Sequence, residues 1–275
     1  MQDIVDFGQI MDIKRYSPQT KASYSNAVKL LSHHYSDISL ESISDKQIQQ
    51  FILTLIREKE ISASYQRQIV GGLNLFYKEM YQRHLNVTQL AVTRRESALP
   101  QVLDKAEITA LLHKTHNIKH RAMLTLLYSS GLRVGELINV KINHIDSKRM
   151  VIYVKAAKGK KDRYTLLSIK ALHLLREYVK QHKPKDFLFE GQKGGKYSAN
   201  SVRQIFKASC KRANIRKNVN LHSLRHSFAT HLLEQGTGIA HIQKLLGHAN
   251  IKTTLIYTQI TTANLSTIIS PLDSL

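Results

Sequence analysis

Apolar residues in the first ninety or so positions recur every three to four residues, the spacing of one face of an α-helix. Tyr24, Ala27, Val28 and Leu31 form one such stripe behind Ser17-Pro18. A proline fits the first turn of a helix because the N–H it lacks would have no partner there. Ile48, Phe51, Ile52, Leu55 and Ile56 form a second stripe, opened by Ser44 or Asp45, and Ile69, Leu73, Phe76, Tyr77 and Met80 a third, opened by Ser62 or Ser64. The pattern predicts an all-helical N-terminal domain over residues 1–91. It lapses over residues 92–100, VTRRESALP, a polar and basic stretch that ends in proline and reads as an inter-domain linker.

Periodicity resumes in a second domain, residues 101–275. Asp104 is placed to cap a helix through Ile108, Leu111 and Leu112, and the next helix, roughly His120 to Ser130, is apolar enough along MLTLLY to lie at the centre of a core. Gly131 stops it, and Arg133 opens a new helical segment. The period then changes. MVIYVKAA (150–157) and RYTLLS (163–168) are strand-like runs around KGKKD, which predicts a hairpin with cations at its tip. Leu172 to Val179 reads as a helix, FLFE as a short strand or turn, and GQKGGKYSAN as a flexible basic loop; Ser198 or Asn200 then opens a helix that turns Val202, Ile205, Phe206 and Cys210 inward. The fold class is mainly α, with a small β-hairpin or sheet in a mixed α/β C-terminal domain.

Residues 221–260 concentrate the chemistry. Leu221, Leu224, Phe228, Leu232 and Leu233 make an amphipathic helix on which His222 and Arg225, three apart, share a face. Gly236 and Gly238 end it; Ile239, Ile242, Leu245 and Leu246 make another that stops at Gly247, leaving His248 on a turn. Asn250 then caps a third helix running through Leu255, Ile256 and Tyr257. A guanidinium, two imidazoles and a phenol thus fall in one short segment. In a chain with 14 His and 12 Tyr each has an ordinary explanation by itself, so the joint spacing carries the weight.

That spacing, His222-Ser-Leu-Arg225, then Leu246-Gly247-His248, then a tyrosine nine residues on, resembles the active-site region of the tyrosine recombinases. Gly131-Leu-Arg133-x-x-Glu136-Leu matches the box that carries the family's first catalytic arginine, and the hairpin tip matches its Lys-Gly-x-x-Lys/Arg pattern at Lys158. The resemblance implies a helical core-binding domain followed by a catalytic domain, and a catalytic set of Arg133, Lys158, His222, Arg225, His248 and Tyr257. Tyr257 would be the nucleophile, giving a covalent 3′-phosphotyrosine link that stores the phosphodiester energy, with no metal, ATP or other cofactor. It further implies a duplex partner with an inverted-repeat site, a homotetramer on DNA, and a C-terminal tail that docks on a neighbour or on its own chain through Leu265, Ile268 and Ile269. The chemistry of the side chains agrees. Guanidinium forks suit phosphate oxygens, and a lysine suits protonation of a leaving 5′ oxygen. Leu221, where many members have proline, and Gly238, where a polar residue is commoner, depart from the pattern without touching a reacting group.

Charge narrows the partner. Lys plus Arg number 41 against 20 Asp plus Glu, a net +21 with pI ≈ 10.0, which points to a polyanion and first to nucleic acid. Candidate DNA contacts are Lys14, Arg15, Lys21 and Arg67 in the first domain, Arg94 and Arg95 in the linker, Lys160 and Lys161 at the hairpin tip, and Arg203; solvation alone explains any single one. The sole cysteine, Cys210, excludes a disulfide framework or a cysteine zinc site within one chain and fits a reducing cytoplasm. MQDIVDFGQIMDIKRY lacks a basic stretch followed by an apolar run, and no stretch of about 18 apolar residues occurs, so neither export nor membrane insertion is expected. No carboxylate trio, HExxH or Gly-x-Ser-x-Gly supports a metal nuclease or a serine hydrolase. Two rivals stand: a type IB topoisomerase with the same tyrosine chemistry, and a non-catalytic DNA-binding protein with Tyr257 in its core.

Overall fold

Serine hydroxyls set where the first helices begin. The computed structural model describes residues 2–86, 99–155, 162–192, 194–259 and 272. Arg94, Arg95, Lys158, Lys160, Lys161 and the tail residues Leu265, Ile268 and Ile269 lie outside the described residues, as does most of the expected linker. The chain divides into two units, Met1–Ser97 and Ala98–Leu275.

The first unit holds α1 (Gln2–Ile13), α2 (Pro18–His34), α3 (Asp45–Glu58) and α4 (Ala63–Tyr81). Ser17 accepts the Thr20 N–H at 3.1 Å with Pro18 behind it. Ser44, rather than Asp45, caps α3 in a reciprocal box with Gln47, and Ser62, rather than Ser64, caps α4. Phe7 and Met11 of α1 pack with Val28, Leu31, Ile48, Phe51, Leu73 and Phe76 in one core. Phe7 meets Phe76 edge to face at 5.3 Å. The periodicity did not single out α1, and its exposed apolar residues explain why: Val5 and Ile13 face solvent and blur the stripe that Phe7 and Met11 make.

In the second unit, α5 (Lys105–His113) starts at the Asp104 cap, and α6 (Ile118–Ser129) starts two residues earlier than expected because Asn117 caps it. Ala122, Met123, Leu124, Leu126 and Leu127 of α6 are all buried, the position its apolar run predicts. After α7 (Val134–Leu137) comes a three-stranded antiparallel sheet, β1 (Ile145–Asp146), β2 (Val151–Val154) and β3 (Arg163–Leu166), in that order. Val154 pairs with Arg163 and Tyr153 with Tyr164. β1, at two residues, is too short to leave a pattern in the sequence. The Thr165 hydroxyl donates to the Ser130 carbonyl at 2.7 Å and staples the hairpin to the end of α6.

The remaining helices are α8 (Ile169–His182), α9 (Ala199–Arg212, capped by Ser198), α10 (Leu221–Glu234, capped by Asn220), α11 (Ile239–Leu246) and α12 (Lys252–Leu255). The expected third helix through Tyr257 is corrected here. α12 ends at Leu255, and Ile256–Gln259 is a 3₁₀ turn. The Thr258 hydroxyl donates to the Leu255 carbonyl at 2.7 Å, a local bond within the tighter turn. The tighter turn brings the Tyr257 ring into a small core with Phe228, Ala229, Ile242 and Leu246. Among the described residues no helix is long and apolar enough to cross a membrane.

Gly131 joins this fold to the site. Its φ is +60°, and a Cβ there would lie 2.4 Å from Phe228 Cδ1 and 3.0 Å from Leu246 Cδ2. Gly131→Ala should cost about 2–4 kcal/mol through overpacking and left-handed strain, read as an earlier urea transition of the second unit. An unchanged midpoint would mean that Phe228 yields freely and that α6 and α10 are not locked together at this point.

Candidate active site

Two helix ends meet at one arginine. The last carbonyls of a helix have no intrahelical donor, and here guanidinium groups supply it. Arg225 of α10, with no exposed surface, donates from Nη1 to the Gly131 carbonyl at 2.7 Å and from Nη2 to the Leu246 carbonyl at 2.5 Å. Its Nε is buried without a hydrogen-bond partner. Arg163, at the start of β3, donates from Nε to the neighbouring Leu245 carbonyl at 2.8 Å. Gly247, at φ +63°, passes so close to Arg163 that a Cβ would lie 2.8 Å from its Cδ. The Leu246-Gly247-His248 turn is therefore held by arginines from a helix and a strand.

A single carboxylate gathers the cations. Glu136, at the third position of α7, accepts from Arg163 Nη1 and Nη2, each at 2.8 Å, a bidentate pair. It accepts from Arg133 Nη1 at 2.9 Å and reaches back to the Arg133 backbone N–H at 2.8 Å, which fixes Arg133 at the helix start. Arg225 Nη1 stands 3.7 Å away. Burial works to raise the Glu136 carboxyl, but the hydrogen bonds from Arg163 and the Arg133 backbone, with the charges of both arginines, prevail and bring it down to about 2. Arg225 is pulled down to about 9 by burial and by Arg133, with Glu136 opposing, and stays charged at neutral pH.

The imidazoles are neutral by the same logic. Burial, then Arg225 and Arg133, lower His248 to about 3, and its Nδ1 shares a hydrogen bond of 3.0 Å with the buried Thr254 hydroxyl. His222 is lowered by partial burial and by the same two arginines. Tyr257 is 1 % exposed, and burial raises its phenol while Arg225 and Arg133 pull the other way. Its oxygen lies 3.1 Å from His226 Nδ1.

Five of the six expected catalytic positions, Arg133, His222, Arg225, His248 and Tyr257, converge electrostatically, each of the last four feeling the charge of Arg133. Lys158 lies outside the described residues; β2 ends at Val154 and β3 begins at Arg163. Glu136 enters the sequence pattern only as part of the box that carries Arg133, and Arg163 and Thr254 have no role there. Glu136 had a signal, its place three residues after Arg133 at a helix start; Arg163 had none beyond being a cation at a strand edge.

A cavity of about 1310 Å³ opens from Arg133 and His222, and Lys141, His144, Lys155, Lys196, Arg203 and Lys207 line it. Of the surface cations expected to meet DNA, Arg203 is thus on the cavity wall. Lys14 pairs with Glu79 and Lys21 with Asp12, so each has a carboxylate partner; Arg15 and Arg67 are exposed. Among the described residues no group of three or more His, Cys, Asp or Glu side chains is placed to hold a metal ion.

The geometry can be set beside known proteins. Residues 101–264 match the model of the phage integrase family, and residues 5–87 the phage integrase N-terminal SAM-like domain. The tyrosine recombinase XerD of Oceanobacillus iheyensis is 31% identical over 95% of this chain and 95% of its own length. The crystal structure of XerA recombinase is 28% identical, covering 97% of this chain and 96% of that one, with a TM-score of 0.58. The fold is also that of XerH site-specific recombinase bound to palindromic difH substrate in a post-cleavage complex, at 21% identity, 90% and 78% coverage and a TM-score of 0.74. Matched along both units, the chain belongs to the phage integrase family and is a tyrosine site-specific recombinase, an enzyme that cleaves and rejoins DNA strands.

Proposed function

We propose that Tyr257 attacks the scissile phosphodiester and becomes linked to the 3′ phosphate, with Arg133 and Arg225 as the clamp on its non-bridging oxygens. The observation that carries this reading is that a buried phenol and two guanidiniums converge on one carboxylate-anchored point, where donors are fixed before substrate arrives. His222 and His248, neutral at working pH, serve as hydrogen-bond donors and proton carriers, and Lys158 protonates the departing 5′ oxygen. Residues 1–91 form the core-binding domain, 92–100 the linker and 101–275 the catalytic domain with its docking tail. The partner is duplex DNA with an inverted-repeat site, bound by a homotetramer in the cytoplasm; the DNA-bound XerH structure supports the partner. The topoisomerase and the non-catalytic readings have no observation in their favour beyond the shared tyrosine and the shared charge.

The cavity wall supplies the first test. With a net +21, affinity for duplex should fall with salt at a log–log slope of roughly −0.9 per neutralised phosphate, and Arg203→Ala should flatten that slope by about one unit. An Arg203→Ala slope equal to the parent's would remove this wall from the interface.

Tyr257→Phe supplies the second. It keeps the ring that packs on Phe228 and deletes the attacking atom, so it should bind a half-site like the parent and trap no covalent adduct on a nicked suicide substrate. Covalent trapping by Tyr257→Phe would hand the nucleophile's role to another residue.

A further inference from the structure

His226 is a half-buried titratable group that the mechanism above leaves unused. It follows Arg225 on α10, one turn after His222, and its ring stands edge to face with that of His222 at 4.4 Å between centroids. A core histidine would need only to fill space. This one instead brings Nδ1 to 3.1 Å from the Tyr257 oxygen, on the border of the apolar cluster of Phe228, Ala229, Ile242 and Leu246. We propose that His226 is a further catalytic residue, whose Nδ1 accepts the hydroxyl proton of Tyr257 as the phenolic oxygen attacks phosphorus. The inference rests on Tyr257 being the nucleophile.

The step balances. The Tyr257 O–P bond forms and the P–O5′ bond breaks, the phenolic proton moves to His226, and the 5′ oxygen leaves with a proton from Lys158. Rejoining runs the same transfers backward, the 5′ hydroxyl displacing Tyr257, which takes its proton back. Burial, then the charges of His222 and Arg225, hold His226 at about 4, so its lone pair is available across the neutral range. Burial keeps the phenol protonated until an acceptor is used. A weak base suffices because the proton becomes strongly acidic as the O–P bond forms. The groups facing the ring are His222 and Arg225 from its own helix and Tyr257 from the 3₁₀ turn.

Single-turnover adduct formation on a nicked suicide substrate, followed from pH 5.5 to 9 at roughly one-unit steps, tests it with His226→Ala and His226→Asn. Asparagine offers a carbonyl oxygen that holds the hydroxyl but takes no proton. Both variants are expected to bind a half-site like the parent and to cleave on the order of 10²-fold more slowly, with rates that climb about tenfold per pH unit while the parent's stay flat. A parental rate and profile in His226→Asn, with the parent's adduct mapped to Tyr257, would reduce His226 to a positioning residue and overturn the proposal alone. An adduct mapped to any other residue would overturn the nucleophile assignment and this proposal with it.

Discussion

One carboxylate makes the site possible. Three guanidiniums, those of Arg133, Arg163 and Arg225, surround Glu136 within 4 Å, and they come from a helix start, a strand and a buried helix that share no local sequence. Two like charges about 4 Å apart repel by roughly 4 kcal/mol at an effective dielectric of 20. Glu136 offsets part of that repulsion, and the backbone carbonyls at the ends of α6 and α11 accept from Arg225. Without the carboxylate, the positions of β3, α7 and α10 relative to one another would lose their common reference.

The arrangement leaves an excess of positive charge with one task. One carboxylate does not neutralise three guanidiniums, so an anion that enters beside Arg133 and Arg225 relieves repulsion already present. The same field, after burial has begun the work, holds His222, His226 and His248 neutral beside the fixed cations. Tyr257 stands on a short 3₁₀ turn that directly follows α12, whose Thr254 hydroxyl is hydrogen-bonded to His248.

Most of this was legible where local rules govern. The Asp104 cap and the apolar run of α6 follow from short-range physics and are legible directly, while Ser44, Ser62 and Ser198 are each one of two capping candidates that the sequence leaves open. The spacing of His222, Arg225, His248 and Tyr257 showed which side chains to watch because they lie within one segment. Missed features depend on distance in sequence or on context. α1 hides its stripe among exposed apolar residues, β1 is too short to show a period, and the 3₁₀ turn at Tyr257 packs its ring with Phe228, a partner distant in sequence. Arg163 contacts Glu136 across 27 positions and Leu245 across 82, and His226 reaches Tyr257 across 31. No local pattern announces such pairs.

The central claim, that the ionised Glu136 carboxylate holds the site together, is most directly tested by the unfolding free energy of the parent and of Glu136→Gln as a function of pH. A carboxyl lowered from 4.5 to about 2 in the folded state contributes stability that is complete above its unfolded value and drains away as pH falls toward the folded one. At about 1.4 kcal/mol per unit this amounts to about 3 kcal/mol. The account predicts a gap of that order at neutral pH that narrows steadily below about pH 4.5. Two curves that run parallel down to pH 3 or so, whatever their separation, would show that the charge on Glu136 does not organise the arginines, and would contradict it.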